Sequence, residues 1–166
     1  MKKARTQGKA KPKSKTKAPL FTIGYEQAKP AAVLDEIAGA KIDVLVDTRA
    51  VAASRRPGFS KRQLAAALDE KGVAYIHLQK LGTPAEGREA ARAGDYDTLW
   101  QIFDKHIKGA PAQAELGELV ALVKSGKRIC LLCYCRDPAH CHRSRISALV
   151  KKRTGVKIDD LIPPLF

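Results

Sequence analysis

Arg128-Ile129-Cys130-Leu131-Leu132-Cys133-Tyr134-Cys135-Arg136-Asp137-Pro138-Ala139-His140-Cys141-His142-Arg143-Ser144-Arg145-Ile146 is the stretch whose reading decides the fold. It opens as an apolar strand and closes as the start of a helix. All four cysteines of the chain and two of its four histidines fall inside it. An unbroken apolar run such as Ile129 to Cys133 suits a strand covered on both faces, as in parallel sheets. Asp137 and Pro138 read as the cap and first residue of a helix that continues to about Arg153 and buries Ile146, Leu149 and Val150.

The same strand-then-helix pattern repeats upstream. Leu20 to Ile23 reads as a strand ended by Gly24-Tyr25, followed by a helix from Pro30 with Val33, Leu34, Ile37 and Ala38 at helical spacing. Ile42 to Val46 is a second strand, leaving into Asp47-Thr48-Arg49. Ser60 reads as the cap of a helix to about Lys71. Val73 to Leu78 is a third strand. The polar stretch from Pro84 to Gly94 reads as a mobile loop. Asp95 caps a helix with Tyr96, Leu99, Trp100, Phe103 and Ile107 on one face, and a further helix runs to Lys124. Ile158 to Ile162 reads as a closing strand. Alternating strands and helices predict a single three-layer α/β domain with a mostly parallel sheet and helices on both faces.

Charge divides the chain unevenly. Residues 1–17 hold eight of the 31 Lys and Arg and no acid, so the remainder carries 23 basic and 17 acidic residues. The expectation is a disordered basic tail over residues 1–18 and one α/β domain over 19–166. The tail is either a DNA- or RNA-contacting arm or a solvated segment. No apolar run nears the roughly 20 residues of a membrane span, and no apolar segment of a secretory signal follows Met1-Lys2-Lys3. A cytoplasmic protein with reduced cysteines and no membrane partner is expected.

In open parallel sheets, ligands bind beyond the carboxyl ends of the strands. The strand exits here carry Gly24, Tyr25 and Glu26; Asp47, Thr48 and Arg49; His77; and Cys133, Tyr134, Cys135 and Arg136. Polar groups thus gather at one edge, while the strand bodies are nearly bare of them. Cys130 reads as core. Cys130-x-x-Cys133 lacks the turn into a helix that a redox pair needs. Cys133 and Cys135 share a face, and Cys141 is placed in the first helical turn, where the dipole favours a thiolate. The spacing C-x-C-x₅-C-H is unlike common zinc knuckles, and adjacent Cys141 and His142 are awkward ligands for one ion, so no metal and no cofactor is assigned. A phosphatase-type thiolate loop needs Arg six residues after Cys, which neither Cys133 nor Cys135 has.

The candidate catalytic residues are Cys133 and Cys141 as nucleophile or thiol ligand, His142 as acid or base, and Asp47. His142 reads equally as a partly buried, hydrogen-bonded ring, and Asp47 equally as the orienting partner of Arg49 or Arg143. Gly24, Tyr25, Arg49, Arg136 and Arg143 are the candidate anion- or substrate-binding residues. They point to an enzyme acting on a phosphorylated small molecule or a nucleic acid. The alternatives are a non-catalytic nucleic-acid-binding module and a thiol redox sensor using Cys135 and Cys141.

Thr22-Ile23-Gly24, Asp47-Thr48-Arg49, Pro57-Gly58-Phe59, Tyr75-Ile76-His77-Leu78, Leu81-Gly82 and Leu132-Cys133 leading to Asp137-Pro138 and Cys141-His142-Arg143 occur in an order that resembles the "domain of unknown function four-eighty-eight" family. The family comprises small prokaryotic α/β proteins, and the resemblance runs from about Leu20 to the C-terminus. It implies a fold and a motif set rather than a reaction. This chain departs from the family's usual pattern twice. Tyr25-Glu26 stands where relatives have His-Ser, and Cys135 stands where they have glutamate. If that glutamate is catalytic in relatives, this chain lacks the activity or uses a thiol instead.

Overall fold

The protein was analysed as a computed structural model that describes residues 17–166. Apart from its last two residues, the basic segment expected to be a tail lies outside the described residues. The rest folds as β1 (Leu20–Gly24), α1 (Pro30–Gly39), β2 (Val44–Asp47), α2 (Lys61–Asp69), β3 (Ala74–His77), α3 (Ala85–Arg92), α4 (Tyr96–Ile107), α5 (Ala110–Lys124), β4 (Ile129–Cys133), α6 (His142–Thr154) and β5 (Ile158–Leu161). Single turns of 3₁₀ helix occupy Gln79–Leu81 and Pro138–His140. Among the described residues no helix is long and apolar enough to cross a membrane.

The five strands form one sheet in the order β3-β2-β4-β1-β5, and every pairing is parallel. Side chains alternate across it, as the two-residue period of a strand requires. Val44, Val46, Ile129 and Leu131 join residues of α4, α5 and α6 in one core, while Phe21, Ile23, Leu45, Cys130 and Leu132 join α1 and α2 in the other. The expected three-layer α/β architecture is what is observed.

Strand order places the site. β4 lies between β1 and β2. Chains leaving β1 and β2 run into α1 and α2 on one face, while β4 runs into α6 on the other. The connections therefore part on either side of the carboxyl end of β4, where an open α/β sheet leaves its crevice.

Three expectations need correcting. The stretch read as a mobile loop holds α3. Its Ala, Glu and Arg are good helix formers, Pro84 stands immediately before it, and Gly94 follows at φ 73°. The last helix does not start at Pro138. Asp137 caps only the 3₁₀ turn, accepting from the Ala139 amide at 2.9 Å, and α6 starts at His142 after an extended Cys141. Successive residues of a continuous helix would fan out by about 100° each. The break instead allows Cys141, His142 and Arg143 all to be buried. Ser60 precedes α2 as expected, but its hydroxyl serves Ser54 rather than the helix.

Candidate active site

A cavity of about 290 Å³ opens beside the end of β4. Its wall includes Tyr25, Arg49, Cys133, Cys135 and His142 from the sheet edge, Thr83, Arg88 and Arg92 from α3 and the turn before it, and Leu99 of α4. Val51 and Tyr134, both about half exposed, stand at its mouth.

Cys133 and His142 meet at this cavity. Sγ of Cys133 lies 3.4 Å from Nδ1 of His142, and Nε2 of the same ring lies 3.0 Å from the carbonyl oxygen of Thr48. A carbonyl only accepts, so Nε2 carries a hydrogen and donates it. In the neutral ring Nδ1 is then an acceptor facing the thiol. Thr48 is itself fixed, its amide and hydroxyl both donating to the Leu132 carbonyl on β4.

Cys141 and Cys135 complete a cluster in which the three sulfurs lie within 4.8 Å of one another. Cys141 precedes α6 and makes no capping bond through its side chain. Cys133 and Cys135 hold their protons strongly. The contact with Cys135 raises Cys133, the contact with Cys141 opposes it, and burial adds to the rise, leaving Cys133 at about 12. For Cys135 the contact with Cys133 lowers the value, but Cys141, burial and the negative charges nearby prevail and push it to about 12. Cys130 lies apart in the core of α1 and α2, as expected.

Asp47 is fully buried beneath the cavity wall and does not line it. It accepts from the Arg49 amide, from Nε and Nη2 of Arg49 at 2.9 and 2.7 Å, and from the Tyr75 hydroxyl at 2.5 Å. Arg49 sends its remaining terminal nitrogen to the Tyr25 hydroxyl and the Phe59 carbonyl. Burial works against the Arg49 charge, but the Asp47 carboxylate outweighs it and raises the guanidinium above its ordinary value. Burial, with the Asp47 hydrogen bond second, likewise raises the Tyr75 hydroxyl.

Arg143 is the largest fully buried side chain and lies away from the cavity. Its guanidinium donates to the Thr22 hydroxyl and to the carbonyls of Cys135 and Arg136. It thereby holds the loop that carries the thiols. Arg136 also lies outside the cavity wall; its amide donates to Glu26, and one of its buried terminal nitrogens has no partner. Gly24 is fixed by this loop, since a Cβ there would stand 1.8 Å from the Cys135 carbonyl oxygen. Tyr25 stacks on Phe59 at 4.3 Å and lines the cavity.

The structure thus brings together Cys133, Cys141, His142, Tyr25 and Arg49, and sets Asp47, Gly24, Arg136 and Arg143 behind or beside them. Sequence reading passed over Arg88, Arg92 and Thr83. The signal that could have found them was the helix-forming composition after Pro84.

No curated protein and no solved structure matches this chain. The family model described as "Domain of unknown function DUF488" matches residues 29–150, more than half of the sequence and nearly all of the elements that build the site. The chain belongs to the DUF488 family.

Proposed function

We propose that the chain is an enzyme in which Cys133 is the nucleophile and His142 its base, acting on a substrate that carries a phosphate. The single observation that supports this is the His142 ring, its Nε2–H held by Thr48 and its Nδ1 turned to the Cys133 thiol at the cavity. A base oriented by a third group is the arrangement that activates a weak nucleophile. Because Cys133 is protonated at rest, the thiolate forms only in the step itself. Sγ attacks an electrophilic centre, the S–H proton passes to Nδ1, and the imidazolium returns that proton to the leaving group; water, giving its proton to Nδ1, then displaces Sγ, which takes that proton back as the thiol. The Thr48 carbonyl stabilises the imidazolium through Nε2–H.

The substrate class follows from the wall. Arg49, Arg88 and Arg92 are its cationic side chains apart from the histidines, and Val51, Leu99 and Tyr134 supply apolar surface. About 290 Å³ accommodates one phosphorylated unit, either a small molecule or a single residue of a nucleic acid. In this reading Arg88 and Arg92 meet the phosphate. Arg49 and Arg143, whose donors go to protein acceptors, position the site, and Asp47 positions Arg49. Cys141, which does not line the cavity, packs beside the nucleophile rather than attacking.

The test is turnover of a panel of phosphorylated small molecules and short oligonucleotides. Product formation that disappears in Cys133→Ser is expected, and the responding half of the panel names the substrate class. Equal turnover by Cys133→Ser would defeat the proposal. A nucleic-acid partner has separate support in the eight basic residues among the first 17.

A further inference from the structure

The sulfurs of Cys133, Cys135 and Cys141 lie within 4.8 Å of one another, and Nδ1 of His142 lies 3.4 Å from Cys133 Sγ and 3.9 Å from Cys141 Sγ. We propose that this cluster is a binding site for a soft divalent metal ion such as zinc, with the three thiolates and His142 Nδ1 as its ligands.

The distances carry the proposal. Zinc binds sulfur at about 2.3 Å and nitrogen at about 2.0 to 2.1 Å in a tetrahedron, so its ligand atoms stand roughly 3.5 to 3.8 Å from one another. The two thiol-to-imidazole distances bracket that range. The three sulfurs, within 4.8 Å of one another, need to draw in by at most about 1 Å to reach it. Thiolate and imidazole ligands select zinc-like ions over magnesium or calcium.

The surroundings fit as well. A metal-binding imidazole almost always donates its other N–H to a carboxylate, a backbone carbonyl or water, and His142 Nε2 has the Thr48 carbonyl. Arg143 donates to the Cys135 carbonyl and the Arg136 amide donates to Glu26, so the peptide that follows Cys135 is held on both sides. The adjacency of Cys141 and His142, awkward within one helix, is resolved by the extended backbone of Cys141 at φ −124° and ψ 140°.

Loading is balanced by proton release. The ion replaces the S–H protons of three cysteines, and three thiolate charges face two positive charges. In a loaded site His142 Nδ1 is committed to the ion, so the proposed nucleophile would lose its base. Binding itself does not require Cys133 to be a nucleophile.

Cobalt(II) titration of the full, reduced chain tests the site. One equivalent is expected to produce thiolate-to-cobalt charge-transfer absorption and the intense visible bands of a tetrahedral ion, both erased by one equivalent of zinc. Cys135→Ser and Cys141→Ser should weaken binding more than about a hundredfold, the upper end of what outer hydrogen-bond changes cost. Cys130→Ala should leave it unchanged. Mass spectrometry of alkylated wild-type protein gives a readout free of variants: zinc should protect Cys133, Cys135 and Cys141 together. Absence of charge-transfer absorption in the wild type, wild-type affinity in both serine variants, or no protection by zinc would each overturn the site. None of these readouts measures turnover, so loss of the metal site leaves the nucleophile to be judged by Cys133→Ser.

Discussion

The carbonyl oxygen of Thr48 lies 3.0 Å from Nε2 of His142, and this contact decides which end of the imidazole faces the thiols. Nitrogen-15 NMR of the metal-free protein should find the hydrogen of neutral His142 on Nε2. His142→Gln removes the base that takes the Cys133 proton. Labelling of Cys133 by iodoacetamide at neutral pH should then fall about a hundredfold, the lower end of what a positioned base contributes. Labelling at the wild-type rate would remove His142 from the role of base.

Asp47 and Arg49 form an ion pair at 2.7 Å, with both side chains almost wholly buried. Asp47→Ala leaves a guanidinium buried beside Tyr25 and Phe59 without its carboxylate. Breaking such a pair from one side costs about 3 to 5 kcal/mol. Urea unfolding should show a loss of that size. A loss below about 1 kcal/mol would mean that water reaches Arg49 and replaces the carboxylate.

Much of this is legible in the amino-acid sequence alone. Val44 to Val46 and Ile129 to Cys133 are strands buried on both faces, and sequences of that kind show themselves as unbroken apolar runs. The edge carrying the site followed, because a parallel sheet puts all strand exits on one side. The roles of the arginines did not follow. Arg143 and Arg49 look like anion ligands in sequence, yet their donors go to Cys135, Arg136, Phe59 and Asp47, and to Thr22, which is 121 residues from Arg143. The Asp47 partner was one of two readings open in the sequence, whereas the backbone carbonyls and Thr22 became visible only in the fold. The thiol cluster was hidden for a related reason. Spacing rules describe ligands on regular elements, whereas Cys133 ends a strand, Cys135 sits on a loop and Cys141 is extended before a helix.

Arg88 and Arg92 lie on α3 at (i, i+4), so both face the same side of the helix. If they receive the phosphate, Arg92→Ala should weaken binding of a phosphorylated ligand by about tenfold or more, the equivalent of one charged hydrogen bond. Arg92 is exposed, so folding should be unaffected. Arg88 also donates to the Thr83 carbonyl, and Arg88→Ala should lower both affinity and stability. Isothermal titration with the ligand found by turnover distinguishes these outcomes. Unchanged affinity in Arg92→Ala would move the phosphate elsewhere.

The basic residues before Ala18 predict a second, separable behaviour. Eight cations on duplex DNA would release counterions with a log–log salt slope of up to about −7. Deleting residues 1–17 should flatten the slope measured by fluorescence anisotropy and leave turnover of a small substrate unchanged. An unchanged slope would assign any DNA or RNA affinity to the folded domain.

The thiol cluster also makes stability depend on pH. Cys133 and Cys135 hold their protons to about pH 12 when folded, against an ordinary value of 9.0. The folded state therefore binds these protons more tightly than the unfolded state. Their contribution is fully present below about pH 9, where both states are protonated, and is lost as pH rises from there towards 12. Thermal unfolding of reduced, metal-free protein should show the melting temperature falling across that alkaline window. In Cys133→Ala/Cys135→Ala the fall should be shallower, because the groups that gain protons on folding are gone. Zinc should reverse the dependence, since thiolates bound to the ion exist in the folded state alone and proton release favours loading as pH rises. Equal slopes in wild type and double variant would show that the cluster is solvated when folded.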